Sequence, residues 1–320
     1  MVIARLVSVG QKAVRRVSAP AKVNLYLDVL GKLENGYHEI RSVVAPIELC
    51  DEIELERIAD GIEIEVGGTW GDSLSRLDPD GNLAVRAAKR LKEATSCRHG
   101  ARIRLQKEIP IGGGLGGGSA DAAAVLVGLN ALWETGLSRD ALIEMGAGLG
   151  CDVPALVHGG LVCMEGMGER VGPALSVPPN GNHRWWLVVL NPGFNVATRD
   201  IYGRHRLSLT SRAPEYKKML SALAEGDTER IAAGLFNALQ PTVFRKYPLI
   251  EILVEELRSA GAIGSMVSGS GASVFALARD EAHGREIEAC VRDTVEYPCW
   301  SRVTRTLPDG VTVAHGPLEA

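Results

Sequence analysis

The sequence predicts an α+β fold in two domains, residues 1–170 and 171–320, and three observations carry that expectation. Strand-like and helix-like patterns follow one another without the strict alternation of a doubly wound sheet. The stretch 173–182, rich in Pro, Gly and Asn, separates two halves that each hold both kinds of element. In the first half, an alternating segment (Ala101 to Ile109) runs straight into Pro110-Ile111-Gly112-Gly113-Gly114-Leu115-Gly116-Gly117-Gly118-Ser119-Ala120-Asp121 and then into a helical pattern.

Taken in order, Val17 to Leu30 reads as a strand with Val17, Ala19, Ala21, Val23, Leu25 and Leu27 on one face and Ser18, Lys22, Asn24, Tyr26 and Asp28 on the other. Pro20 places an edge or a bulge in it. An Asn35-Gly36 turn leads to a strand over Ile40 to Leu49, and Ile53-Leu55 and Ile62-Val66 read as two more. Asn82 to Glu93 has helical spacing. The helix after the glycines carries Ala122, Leu126, Leu129 and Trp133 on one face, and Ser138 is placed to cap the next, through about Gly148. Gly150 to Pro154 breaks that pattern, and Gly159 to Glu165 returns as a strand. In the second half, strands are expected over Arg184 to Leu190, Ala262 to Val267, Ser273 to Ala278 and near Trp300. Helices are expected over 215–225, 227–235, 249–259 and 281–292.

Six glycines within seven positions, between a strand and a helix start, describe an anion site. Glycine lets the backbone approach a phosphate closely, and the unpaired N–H groups of a first helical turn point at it. The spacing excludes two commoner phosphate loops. No Gly-Lys-Ser/Thr ending makes it a Walker A loop, and no acidic residue closes a βαβ unit about twenty residues on.

Composition narrows the classes further. Hydrophobic content of 46% and charged content of 23% are those of a soluble globular chain. A net charge of −4, without long runs of either sign, argues against a nucleic-acid-binding face. No apolar run is long enough to span a bilayer, and the basic cluster Lys12-Arg15-Arg16 follows the first apolar residues rather than preceding them, the reverse of a secretory signal. The six cysteines form no C-x-x-C pair, so reduced thiols and a cytoplasmic home are expected. No heptads or apolar patch fix an oligomeric state.

A chemistry of phosphoryl transfer needs positioning, neutralised charge and a group to accept the acceptor hydroxyl's proton. Asp152, in a Gly-x-Asp-x-Pro turn one helix beyond the loop, is a candidate base, or else a cap for a short helix from Val153. Lys22 is either a solvated charge or, placed against Asp152, the cation that keeps that carboxylate ionised. Tyr37 and His38 follow a tight turn that presents both rings outward, or packs Tyr37 on the sheet.

Pro20-Ala21-Lys22-Val23-Asn24-Leu25, Asn35-Gly36-Tyr37-His38, Pro110 to Ala123, Leu149 to Pro154 and Gly269 to Phe275 occur in that order. In this set the chain resembles the GHMP kinase superfamily, small-molecule kinases that use ATP. The Gly-Tyr-His element with the Gly-Leu-Gly-Gly-Gly-Ser loop resembles the branch whose acceptor carries a cytidine diphosphate. The resemblance implies a GHMP-kinase-like fold with an N-terminal ATP-binding domain. It implies transfer of the γ-phosphate of ATP, as its Mg²⁺ complex, to the 2-hydroxyl of a cytidine diphosphate-linked methylerythritol on the non-mevalonate route to isoprenoid precursors. Carried over by position, Asp152 would be the base and Lys22 its partner. Pro110, Ile111, Gly112, Gly113, Gly114, Leu115, Gly116, Gly117, Gly118, Ser119 and Ala120 would hold the nucleotide, with Asn82 near the adenine. Asn24, Tyr37, His38, Thr198 and Tyr202 would hold the acceptor, Tyr37 stacking on its base, and Gly269 to Gly271 would brace the loop.

Two departures stand out. The serines that the wider superfamily places in the loop fall on Gly117 and Gly118, which leaves the Mg²⁺ ligand unassigned, with Ser119 as one substitute. Asp121 adds negative charge beside a phosphate site, so it either points away from the nucleotide or holds metal through water. The rival readings are another GHMP kinase and a nucleotide-binding sensor without catalysis.

Overall fold

The computed structural model describes residues 14–72, 81–174, 184–207 and 216–314. The proposed boundary stretch therefore lies, from residue 175 on, outside the described residues. The first half builds β1 (Val14–Lys32), β2 (His38–Ile58), β3 (Ile62–Gly67), α1 (Leu83–Thr95), β4 (Gly100–Gln106), α2 (Gly117–Leu132), α3 (Arg139–Ala147), α4 (Val153–His158), β5 (Val162–Gly166) and β6 (Arg170–Pro173). The second builds β7 (Trp186–Asn191), α5 (Thr198–Arg204), α6 (Tyr216–Glu225), α7 (Thr228–Gly234), β8 (Phe236–Asn237), α8 (Gln240–Lys246), α9 (Pro248–Ser259), β9 (Gly264–Val267), β10 (Val274–Ala278), α10 (Glu281–Thr294), β11 (Trp300–Arg305) and β12 (Thr312–Ala314).

Two sheets result. One runs β12-β1-β2-β4-β3, with β5 on β2, β6 on β5 and β8 on β1; the other runs β11-β7-β10-β9. Pairing is antiparallel except between β3 and β4 and between β1 and β8. This mixture is the α+β class expected from the sequence. Two late segments, β8 and β12, return to flank β1, so the second half of the chain completes the first sheet.

That return corrects the reading of β1 as a strand with one wet face. From Ala19 to Leu27 every residue is buried. The apolar face meets α2, and Tyr26 on the other meets the rings of Tyr216 and Phe236, with centroids 5.4 and 5.5 Å away. Pro20 sits at a register shift rather than an edge. Ile40 to Leu55, read as two strands, belongs to the single strand β2. The segment after Gly150 resumes as the short helix α4, with Pro154 in its first turn, where a missing N–H costs nothing.

α2 lies across the first sheet and α1 lies against α2, burying Ala84, Ala87, Ala88 and Leu91 among Ala122, Leu126 and Leu129. Ser138 caps α3 by accepting from the Ala141 amide, as its position foretold. α9 and α10 cover the second sheet with Ile250, Leu253, Leu257, Ile287 and Val291.

The glycine loop is gripped by the second half. Ser273 donates its amide to Gly113 O at 2.9 Å, and Ser268 Oγ donates to Gly114 O at 3.0 Å. Gly114 has φ +76°, and a Cβ there would lie 2.1 Å from the Ser268 carbonyl oxygen. The expected brace from Gly269 to Gly271 is thus present, through its neighbours Ser268 and Ser273. Gly114→Ala is expected to cost more than about 2 kcal/mol, combining left-handed strain with displacement of a backbone neighbour. Gly36→Ala, at φ +84° with nothing within 4 Å, carries the strain alone. Thermal melts should rank Gly114→Ala below Gly36→Ala by several degrees; equal melting temperatures would mean that the loop is not gripped.

Candidate active site

α2 begins at Gly117, and its cap residue Gly116 offers no side chain to the first turn. The first helical bond is Ala120 N to Gly116 O, 2.8 Å, so the amides ahead of it are left for a ligand at the positive end of a 16-residue helix. Before it lies a cavity of about 440 Å³. Asn82, Pro110 to Gly114, Gly116 to Ser119, Asp152 and Thr198 line it, joined by Lys107 and Asp121. Leu115 and Ala120 are exceptions within the expected loop. Both are wholly buried, Leu115 in the core and Ala120 with its amide spent on the helix. Asn82 has its carbonyl oxygen committed to the α1 cap, accepting from Ala84 N at 2.9 Å.

Lys22 and Asp152, 130 positions apart in the chain, meet here: Nζ to Oδ2 is 3.4 Å. Asp152 occupies the cap position of α4 but makes no cap hydrogen bond, so the cap reading is not what the geometry realises. Its carboxylate is held by the ammonium instead. Lys22 is 3% exposed and also donates to Asn24 Oδ1 at 2.7 Å. Asn24 donates to Ser42 Oγ at 2.9 Å, which donates to the Tyr26 carbonyl at 2.6 Å. Register shifts between Pro20 and Lys22 and between Asn24 and Tyr26 aim this pair out of the regular pleat. The Lys22 amide donates to Leu115 O at 2.9 Å, tying β1 to the loop.

Of the remaining residues expected around the acceptor, Thr198 lines the cavity, whereas Tyr37, His38 and Tyr202 are not among its lining residues. The rings of His38 and Tyr202 stand 5.3 Å apart. Burial, then the nearby Lys32 charge, pushes His38 below its ordinary value, so its ring is neutral at pH 7. Desolvation, reinforced by the Asp152 charge, pushes the Tyr202 phenol up, which places that ring within reach of the Asp152 field. Tyr37 is 58% exposed at the β1–β2 turn. Thr198 shares a 2.9 Å hydrogen bond with Ser270, linking α5 to the loop's brace.

Sequence reasoning missed three features. Lys107, wholly enclosed, donates to both Asp51 and Asp121, the latter at 2.7 Å. Asp51 Oδ1 also accepts from the Glu108 and Ile109 amides at 2.6 and 2.8 Å. Burial, partly offset by the Lys107 ammonium and reinforced by the Asp51 charge, pushes the Asp121 carboxyl up to about 7. His205, beside His38, is pushed down by burial. Asn191 binds Ser273 Oγ at 2.8 Å behind Gly113. A lysine two residues before Ile109-Pro110 was a visible signal for the first; the other two carry none.

Comparison with known proteins agrees with this layout. Residues 82–160 match the GHMP kinases N terminal domain and residues 219–296 the GHMP kinases C terminal domain. A 4-diphosphocytidyl-2-C-methyl-D-erythritol kinase of Pelotomaculum thermopropionicum is 42% identical over 90% of this chain and 96% of its own. A crystal structure of a 4-(cytidine 5'-diphospho)-2C-methyl-D-erythritol kinase superposes with TM-score 0.74 at 34% identity, covering 91% of this chain and 99% of that one. A homoserine kinase from Cytophaga hutchinsonii superposes equally well, at 0.74 over 97% of this chain and 100% of its own; at 22% identity it shares the fold. The protein is an ATP-dependent small-molecule kinase, and the chain belongs to the 4-diphosphocytidyl-2-C-methyl-D-erythritol kinase family of the GHMP kinases.

Proposed function

We propose that this chain transfers the γ-phosphate of ATP to the 2-hydroxyl of 4-diphosphocytidyl-2-C-methyl-D-erythritol, in the cytoplasm, on the methylerythritol phosphate route to isoprenoid precursors. The observation that carries the reading is the Lys22–Asp152 pair, 3.4 Å apart, with Asp152 in the wall of the glycine-loop cavity. The acceptor for which the relatives are named supports the reading. In this reading residues 1–170 are the nucleotide-binding domain and 171–320 the second, which lends β8 and β12 to the first sheet.

The phosphates lie on the free amides at the start of α2, where backbone dipoles meet the charge that shifts during transfer. Asp152 takes the proton of the acceptor hydroxyl as the hydroxyl oxygen attacks the γ-phosphorus and the bond to the β,γ-bridging oxygen breaks, releasing ADP. Lys22 pairs with the Asp152 carboxylate and polarises the same hydroxyl. Asn24 and Ser42 fix the lysine, so the ammonium does not swing during turnover. Tyr37 stacks on the cytosine, His38 binds its edge as a neutral ring, and Tyr202 and Thr198 close the acceptor side. Mg²⁺ enters as the ATP complex. Among the described residues no three His, Cys, Asp or Glu side chains converge, which fits a magnesium ion carried by nucleotide phosphates.

Turnover with labelled ATP against the cytidylylated methylerythritol, mevalonate, homoserine and galactose tests the acceptor; phosphorylation of the first alone is expected, and preference for another would refute it. Asp152→Asn should lower kcat by at least about a hundredfold with ATP affinity nearly intact. A near-normal kcat would remove Asp152 from the chemistry. Tyr37→Ala should raise KM for the acceptor about tenfold or more and leave KM for ATP unchanged, the scale of a lost base–aromatic stack.

A further inference from the structure

Asn237 is a buried polar side chain that the mechanism does not use. It closes β8, which pairs in parallel with β1 at Tyr26 and Leu27, and the Ala238 amide beyond it donates to Leu27 O at 2.8 Å. At 5% exposure its amide group needs partners within the protein. Its Nδ2 donates to Val267 O at 2.9 Å and to Gly269 O at 2.7 Å, and its Oδ1 accepts from the Leu239 amide at 2.9 Å. Only one orientation of the side chain meets two carbonyls and an N–H in this way. Gln240 accepts from Val267 N at 3.1 Å, so the end of β9 is held by its amide and its carbonyl alike.

What these bonds hold is the turn Ser268-Gly269-Ser270-Gly271, closed by Gly271 N to Ser268 O at 2.9 Å. Its first three residues each meet a different part of the site. Ser268 Oγ donates to Gly114 O at 3.0 Å, and Ser270 Oγ shares its 2.9 Å hydrogen bond with Thr198 in the cavity wall. Gly269 lies buried between them at φ +56°, and a Cβ there would stand 3.4 Å from both Lys22 Nζ and Asn24 Oδ1. The backbone of the turn is therefore one wall of the space that holds the ammonium. Lys22 and Asn24 ride on β1, and Asn237 joins that strand, through β8, to the turn that faces them.

We infer that Asn237 is a positioning residue for phosphoryl transfer: it fixes the 268–271 turn on β1 and so sets where Lys22 stands against Asp152 and the glycine loop. The inference rests on the kinase reading above. A displacement of about 1 Å at a reacting group can cost about a hundredfold in rate, so a turn loosened from β1 should show in kcat before it shows in affinity.

Steady-state kinetics of the whole protein with labelled ATP and the cytidylylated methylerythritol test it. Asn237→Ala removes all three bonds. Asn237→Asp keeps the shape and the acceptor for Leu239 N, but sets an oxygen against two carbonyls. Both should lower kcat by between about tenfold and about a hundredfold, with KM for either substrate within about twofold of wild type. In a Lys22→Met background the same substitutions should cost less than about twofold more, because the group they misplace is already gone. A residue that merely supports the fold would lower the active fraction by the same factor in both backgrounds. Gly269→Ala leaves Asn237 in place and adds a methyl group facing the Lys22–Asn24 pair at a left-handed φ. It should give the same kcat-selective, Lys22-dependent loss, and it decides the matter if the Asn237 variants fail to fold. An unchanged kcat, or losses that multiply with that of Lys22→Met, overturn the inference and leave the kinase reading standing. A wild-type chain that transfers phosphate to none of the acceptors overturns that reading, and this inference with it.

Discussion

A lysine ammonium with 3% exposure is unfavourable unless a counter-charge and hydrogen bonds replace its water. Lys22 has both: Asp152 on one side and Asn24 on the other. Satisfying it draws together β1, the turn before α4 and, through the Lys22 amide, the glycine loop. The resulting arrangement puts a carboxylate in the wall of the glycine-loop cavity with a cation already against it. Its charge is answered within the chain, which is what the proposed base beside phosphates would require.

The second constraint is steric. Gly112, Gly113 and Gly114 pass so close to Asn195, Asn191, Ser273 and Ser268 that a methyl group at any of them would collide with the second half of the molecule. The loop therefore owes its shape to both halves, since the residues that crowd it come from the second half of the chain. The side chains proposed to hold the acceptor follow the same plan. His38 comes from the first sheet and Tyr202 from α5, so closure of the ring pair depends on how the two halves meet.

Much of this was readable from residues. The strand-glycine-helix order located the cavity, and Ser138 and the Asn35-Gly36 turn did what their types demand. The burial of both faces of β1 was not readable, because the cover comes from Tyr216 and Phe236, some two hundred positions away. The seven-residue helices α5 and α8 are too short to show a period, and β8 and β12 are too short to alternate. Asp152 could be read as cap or base until geometry showed a cap position without a cap bond. Lys107 was hidden for a different reason. A charge at the end of a strand normally goes to water, and only the fold reveals two carboxylates waiting for it.

The central claim is that Lys22 and Asp152 act as one unit. A double-mutant cycle on kcat with Lys22→Met, Asp152→Asn and the pair together measures it directly. If the ammonium works through the carboxylate, the double variant should lose little more than the worse single one. Losses that multiply would mean that the two residues serve the reaction separately, and would contradict the account.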